Sequence, residues 1–565
     1  MKKSLSIKAL LIVLTMCIII AGLSACATDD TQTPTTPGEQ PATGTDGAAA
    51  PNEPSGEISR ERTMIWLVPD LPSGVDSLLD HSTQSSEAIR QLYDSAVYWP
   101  PIPDASGFLV PDFNNLSPWL AESIETSDDS LVYTVKLREG VMSHQGNELV
   151  AEDFVFERHR TARLVGINNF INMGLRITDL DQIQVLDRYT FQVTLDAPNP
   201  IFWPFMGHRT NHMIDSAAMI AHDTPDDPDA GTFYRQQGSG YGPYRLESFN
   251  PGDNFTFRAH ENYWNKDNIP LYFERVIMKQ IPQSANRLAL VATGEADAHT
   301  YPTPAEMREA EGIDGVKVLS WRSNFVKRME FNTLVEPFDN PLVRRALNYA
   351  VPIDEILETV YLGTATQSRS IIPSSYPMWT GDYHNYSLDY DKARELLAEA
   401  GYPDGFSTVI EIMADFPQEE QIAIIVRDSL RNIGVEAEIE RLQSADFWTK
   451  GQQNRFEGLY IFNDFCGLPD AGFAVTLWAF SEALVNFGGY HNEEVDALYH
   501  EMMSTLNEQV RTDNLRRIQE IVVYEDPIWM FLVEPGYHLI VRDDIDGIFW
   551  NPSNEIFWSY AHRTR

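Results

Sequence analysis

Cysteine is scarce in this chain: three occur in 565 residues, at Cys17, Cys26 and Cys466. So few thiols exclude a disulfide-stapled scaffold, and stability has to come from a large hydrophobic core. Basic residues are also short, with 42 Lys and Arg against 82 Asp and Glu, a formal net charge of -40. Such a surface repels nucleic acid and anionic lipid head groups, which excludes nucleic-acid binding, and it favours solubility as a monomer. Residues 27–56 contain no aromatic residue and no Lys or Arg. A stretch of that composition cannot bury enough apolar surface to fold, and it reads as a tether. Neither G-x-S-x-G nor H-E-x-x-H occurs, and no pair of carboxylates stands out as a glycosidase pair. The sequence therefore offers no catalytic residue, no metal ligand set and no cofactor motif.

What is present begins with Lys2 and Lys3 ahead of an apolar run from Ile7 to Leu23, closed by Leu23-Ser24-Ala25-Cys26. The run is close to the length that spans a bilayer. Its charged start, small-residue exit and closing Cys predict instead a lipoprotein leader over 1–25, with Cys26 taking the lipid. Two or more acyl chains there suffice for stable anchoring.

The folded part is predicted from residue 58. Thr63 to Val68 is a short apolar strand, and 87–97 carries Ile89, Leu92, Tyr93 and Ala96 at helical spacing. Gly238 to Trp264 predicts a hairpin: Tyr244, Leu246 and Phe249 before Asn250-Pro251-Gly252-Asp253, then Phe255 and Phe257. We expect this hairpin at the centre of a sheet. Gln283 to Thr293 predicts a helix on Ala285, Leu288, Ala289 and Ala292. Asn340 caps a helix that Pro341 opens and that buries Val343, Ala346, Leu347 and Ala350, with Arg344 as a solvated or ion-paired residue. Asp391 is expected to cap a helix ended by Gly401 and Pro403. His144 and His159 read as structural, and Cys466 as a buried, inert thiol.

Several stretches carry a resemblance. Leu116 to Arg160, Ile281-Pro282 with Arg287 to Asp297, Pro337 to Leu347, and Tyr390 to Gly405 (YDKARELLAEAGYPDG) resemble, in order, the motifs of the family 5 extracellular solute-binding proteins, the peptide and nickel receptors of ABC importers. The resemblance implies an α/β, two-lobed, periplasmic-binding-protein-like fold (class II, large) with an additional inserted subdomain. It implies lobe I over 58–100, 238–322 and 525–565, the insertion over 101–237, and lobe II over 323–524. The implied partners are a small solute or peptide and an ABC permease, with the membrane engaged only through the lipid.

In peptide-binding relatives one turn carries W-x-x-D-Y-x-D-P, whose first Asp receives the ligand's amine. Here Asn463 to Asp470 occupies the equivalent turn, and Leu468-Pro469-Asp470 matches the Asp-Pro corner. That places Phe465 at the amine position with Asp464 one residue away, and opens the site to solutes without an amine, such as oligosaccharides. The candidate ligand-binding residues are Phe462, Asn463, Asp464, Phe465, Cys466 and Trp478, with Trp321 and with Asp76 on the loop that borders the family's cleft. Two other readings stay open: a secreted carbohydrate-active hydrolase, and a binding protein that feeds a sensor instead of a transporter.

Overall fold

The computed structural model describes residues 58–80, 82–104, 107–164, 170–171, 174–551 and 555–564. The expected leader, tether and lipid-bearing Cys26 lie outside the described residues.

Two mixed sheets organise the molecule. The first has seven strands in the order Tyr244–Asn250, Asn254–Ala259, Arg275–Gln280, Thr63–Val68, Ala298–Thr300, Tyr537–Arg542, Val316–Trp321. The second has six, in the order Ala365–Gln367, Trp529–Pro535, Phe325–Phe331, Leu459–Phe465, Phe406–Met413, Val435–Leu442. Each is covered by helices over its own core. Trp66, Phe255, Phe257, Met278, Leu539 and Trp558 belong to the first core, and Met329, Val343, Leu347, Leu397, Ile422 and Leu532 to the second. The α/β, two-lobed architecture expected from the sequence is what these sheets build.

The chain crosses between the sheets twice, from Trp321 to Phe325 and from Pro535 to Tyr537. The crossings are tied together where the Ser323 hydroxyl donates to the carbonyl of Pro535. Trp529–Pro535, expected in lobe I, lies in the second sheet, fully buried along Trp529–Glu534 and paired with Phe325–Phe331. The return to the first lobe therefore falls at Gly536, not at 525.

The 101–237 stretch does not stay together. Ala121–Thr126, Val132–Leu137, Thr190–Thr194 and Ile183–Asp187 form a separate antiparallel sheet. Pro101–Pro103 and Leu109–Pro111 pair instead toward Phe549–Asn551 near the chain's end, and Phe233 and Tyr234 pack into the first-lobe core.

The hairpin forms as expected around Pro251 and Gly252, whose φ of 79° is the left-handed value the turn needs. It sits at the edge of its sheet, not the centre: Tyr244–Asn250 has a strand on one side only, and a bulge between Leu246 and Ser248 interrupts its register. Edge strands commonly carry such bulges. The glycines that precede it serve close approach. A Cβ on Gly240 would fall 2.6 Å from the Leu92 carbonyl oxygen, and one on Gly242 2.5 Å from the Leu92 carbonyl carbon. The helix under them runs over Thr83–Leu92, capped by Ser82, so it starts and ends earlier than its apolar spacing suggested.

Three further helices test local rules. Asn340 caps Pro341–Asn348 and the expected apolar face is buried. Arg344 on that helix is buried too, donating to the carbonyls of Phe338 and Pro527 and paired with Asp526. Asp389, not Asp391, caps Tyr390–Glu399, accepting from the Lys392 N–H at 2.9 Å. Ser284–Thr293 buries Arg287, Leu288 and Val291 while Ala285 and Ala289 face solvent. Arg287 displaces the alanines because its guanidinium satisfies the carbonyls of Ile281 and Pro282 and the ring of His299.

Candidate functional site

The strand Leu459–Phe465 delivers the expected ligand turn. Leu459 and Ile461 enter the second-lobe core, and Tyr460 and Phe462 enter an aromatic cluster with Phe447, Phe456 and Phe487 on the other face. From Asn463 the burial relaxes, as the strand leaves the core. Phe465 lies against Phe325 on the neighbouring strand, ring centroids 5.3 Å apart.

The turn after it is held on all sides. The Cys466 N–H donates to Asn324 O at 3.2 Å, and the carbonyl of Cys466 accepts from the Asn324 side chain at 2.9 Å and from the Tyr376 hydroxyl. The thiol donates to Leu468 O at 3.2 Å, and burial pushes its pKa well up, so Cys466 is the inert thiol expected. Asp470 caps the helix Ala471–Trp478 and pairs with Arg511 at 3.0 Å. Its carboxylate is committed to structure.

The turn packs directly against the inserted segment, in one buried cluster with it. A Cβ on Gly467 would lie 3.3 Å from the His208 ring nitrogen. Phe473 meets Phe170 and Phe205 at centroid distances of 6.0 and 6.2 Å, and Tyr376 meets Phe113, which in turn meets Trp99. Arg176 donates across to Met503 O at 2.7 Å. Aromatic rings from both lobes thus converge on one turn and pack against each other.

Of the expected residues, Phe462, Asp464 and Trp478 come together, around a residue the sequence reading passed over. Asp464 accepts from the Trp478 indole N–H at 3.1 Å and from the Phe465 N–H at 2.7 Å. Arg328 is fully buried beside them, with Phe462, Trp478 and Trp529 4.5–5.0 Å from its guanidinium carbon. It donates to Glu330 at 2.7 Å, and Glu330 accepts from Tyr460 at 2.6 Å. Burial is the largest influence on Glu330 and raises its pKa against the pull of Arg328. This is a rigid inner wall. The charged run Lys327, Arg328 and Glu330 inside a strand otherwise apolar was the signal for it.

Asp76 and Trp321 are not brought to the turn. Asp76 is buried and paired with Arg160, and it accepts from the Leu78 N–H at 2.9 Å. Burial dominates and raises its pKa despite Arg160. Trp321 ends its strand against Phe108 and donates to Leu109 O at 3.1 Å. The face opposite the turn, His208 with Phe113, Phe170 and Phe205, was missed, because nothing local in His-Arg-Thr-Asn announces a contact with residue 467.

A hollow of about 600 Å³ elsewhere on the first lobe, between Asp70, Arg235, Phe249 and Gln280, takes no residue from the second lobe. Among the described residues no group of three His, Cys, Asp or Glu side chains is placed to hold a metal ion.

Comparison with known proteins gives a consistent picture. The family described as "Bacterial extracellular solute-binding proteins, family 5 Middle" matches residues 115–483. Heme-binding protein A of Haemophilus influenzae is 26% identical over 492 residues, 83% of this chain and 86% of that protein. Glutathione-binding protein GsiB of Escherichia coli is 27% identical over 423 residues, 73% of this chain and 80% of that one. The periplasmic binding protein DppA of Helicobacter pylori, solved with the peptide STSA, superposes with a TM-score of 0.73 at 22% identity, covering 89% of this chain and 98% of that one.

Proposed function

The chain belongs to the bacterial extracellular solute-binding proteins of family 5, and from that premise we propose that it is a receptor that captures a peptide or similar small solute between its lobes and delivers it to an ABC import permease. The observation that carries this reading is the pair of crossings at Arg322–Asn324 and Gly536, among the described residues the two places where the chain passes between the two sheets. Such a hinge lets the lobes move as bodies, and a ligand touching both favours the closed form that a permease would recognise.

The protein performs no chemistry in this account. Membership of the family places it outside the cytoplasm. Cys26, behind its leader, would carry the lipid that holds it to the membrane, with residues 27–57 as a flexible spacer. The names of its relatives, which span haem, glutathione and peptides, point to an amphipathic solute of peptide size.

The test is a thermal-shift screen of residues 58–565 against di- to pentapeptides, reduced glutathione and oligosaccharides. A ligand that binds only the folded state raises Tm. The reading expects a shift with peptides or glutathione; a shift with oligosaccharides alone would contradict it.

A further inference from the structure

Leu175 and Ile177 are buried, and Arg176 between them is half-buried. The apolar neighbours anchor the backbone from which its arm starts. Its φ of 58° lies in the left-handed region that favours glycine. A side chain there costs strain, so what the arm reaches matters.

The guanidinium joins two bodies. One nitrogen donates to Pro198 O at 2.8 Å within the inserted segment, and another to Met503 O at 2.7 Å in the second lobe. Met503 is the C-cap of the helix Glu493–Met502. The last carbonyls of a helix lack partners within it and form the negative end of its dipole, so a cation set on them is favoured. Here that cation comes from the other lobe. The helix also ends beside the turn: a Cβ on Gly472 would fall 3.1 Å from Met503 Sδ, and Phe473, the next residue, is the one that meets Phe170 and Phe205.

The contact is built to be reversible. No carboxylate pairs with Arg176 among the described residues; its titratable neighbours are the phenols of Tyr499 and Tyr133, and burial pushes its pKa down. Its acceptors are backbone carbonyls, which water satisfies once the lobes part. Parting therefore strands no buried charge. At Arg160 it would, because losing that guanidinium leaves the Asp76 carboxylate alone in the core.

We infer that Arg176 is a latch between the lobes: it caps the helix Glu493–Met502 when the lobes are together, exchanges that contact for water when they part, and so sets the closed fraction of the protein and the rate at which a bound solute leaves. This rests on the closing receptor proposed above and adds the residue that governs its closure.

The test is double electron–electron resonance between spin labels at Ile220→Cys and Leu388→Cys in residues 58–565, with no peptide added. Arg176→Met removes the donors, Arg176→Gly removes the arm and also relieves the backbone, and Arg176→Lys keeps the charge. The Met and Gly variants are expected to lower the ratio of short to long distances about fivefold, with Lys in between. For the peptide with the largest Tm shift in the screen above, Kd should rise by the same factor through faster release. The urea midpoint of Arg176→Gly should stay close to the parent's.

Distances unchanged by the Met and Gly variants, while peptide shortens them in the parent, would overturn the latch and leave the closing receptor intact. Unchanged distances with a large fall in both urea midpoints would overturn it too, and place Arg176 in a fixed interface. Distances lengthened in the variants with no peptide bound by any of the proteins would support the latch and count against the peptide receptor alone. A single short distance in every protein, with or without peptide, would overturn the latch and closure together.

Discussion

Asn324 and Cys466 hold each other by two hydrogen bonds, side-chain amide to Cys466 O at 2.9 Å and Cys466 N–H to Asn324 O at 3.2 Å. Asn324 stands on one of the two crossings between the lobes and Cys466 in the turn that faces the opposite lobe, so crossing and turn are one unit. Asn324→Ala leaves the Cys466 carbonyl with the Tyr376 hydroxyl alone. A lost buried hydrogen bond costs about 1–3 kcal/mol, and the urea midpoint should fall accordingly. Peptide affinity should fall further than for a distant variant of equal stability, which calorimetry at matched folded fraction would measure.

The Gly240 and Gly242 motif gives a second prediction. A methyl at Gly242 would meet the backbone of Leu92 and Tyr93 at 2.5–2.6 Å, and backbone cannot move aside as a side-chain end can. Gly242→Ala should cost about 3 kcal/mol by overpacking. Gly252→Ala, with nothing within 4 Å of its Cβ position but a φ of 79°, should cost about 1 kcal/mol from backbone strain alone. Denaturation of the two variants side by side tests the ranking.

Arg328 and Glu330 form a buried pair among aromatic rings. Arg328→Met strands the Glu330 carboxylate with only the Tyr460 hydroxyl, and should cost about 3–5 kcal/mol. The double variant with Glu330→Gln should recover most of that loss. A double-mutant cycle in urea measures the difference, and additive losses would contradict the pairing.

The hinge also carries a titrating group. Glu534, buried one residue before Pro535, accepts from the Ser374 N–H at 3.0 Å and from its hydroxyl, and burial raises its pKa to about 7 in spite of these bonds and of Arg322. Its folded pKa lies above the unfolded value of 4.5, so the folded state keeps the proton that the unfolded state releases. The group costs nothing below about pH 4.5. Its penalty grows as pH rises to about 7 and stays near 3 kcal/mol above it. Glu534→Gln should therefore raise Tm at pH 8 and leave it unchanged at pH 4.5. A gain at pH 4.5 of the same size would contradict the assignment.

What was legible beforehand follows a physical line. Asn340 with Pro341 and the Pro251-Gly252 turn are rules of neighbouring residues, and both hold. The cap moved from Asp391 to Asp389 because two acids flank the same helix start and sequence alone cannot choose between them. Position within a sheet is another matter. Tyr244–Asn250 is an edge because no further strand pairs with its outer side, which no local pattern records. Asp76 is bound to Arg160, 84 residues on, and its role was invisible for the same reason. The turn at Asn463 to Asp470 was found by resemblance, while its partner His208 emerges only from the folded contact.

The central claim is that the two lobes close on a solute. Spin labels on cysteines introduced at exposed Ile220 in the inserted segment and exposed Leu388 in lobe II, with Cys466 buried and unreactive, would report the inter-lobe distance by double electron–electron resonance. The account predicts a broad distribution without ligand that sharpens to one shorter distance on saturation with a peptide that raises Tm in the thermal-shift screen. A distribution unchanged by that peptide, while calorimetry shows that it binds, would contradict closure as the receptor's mechanism.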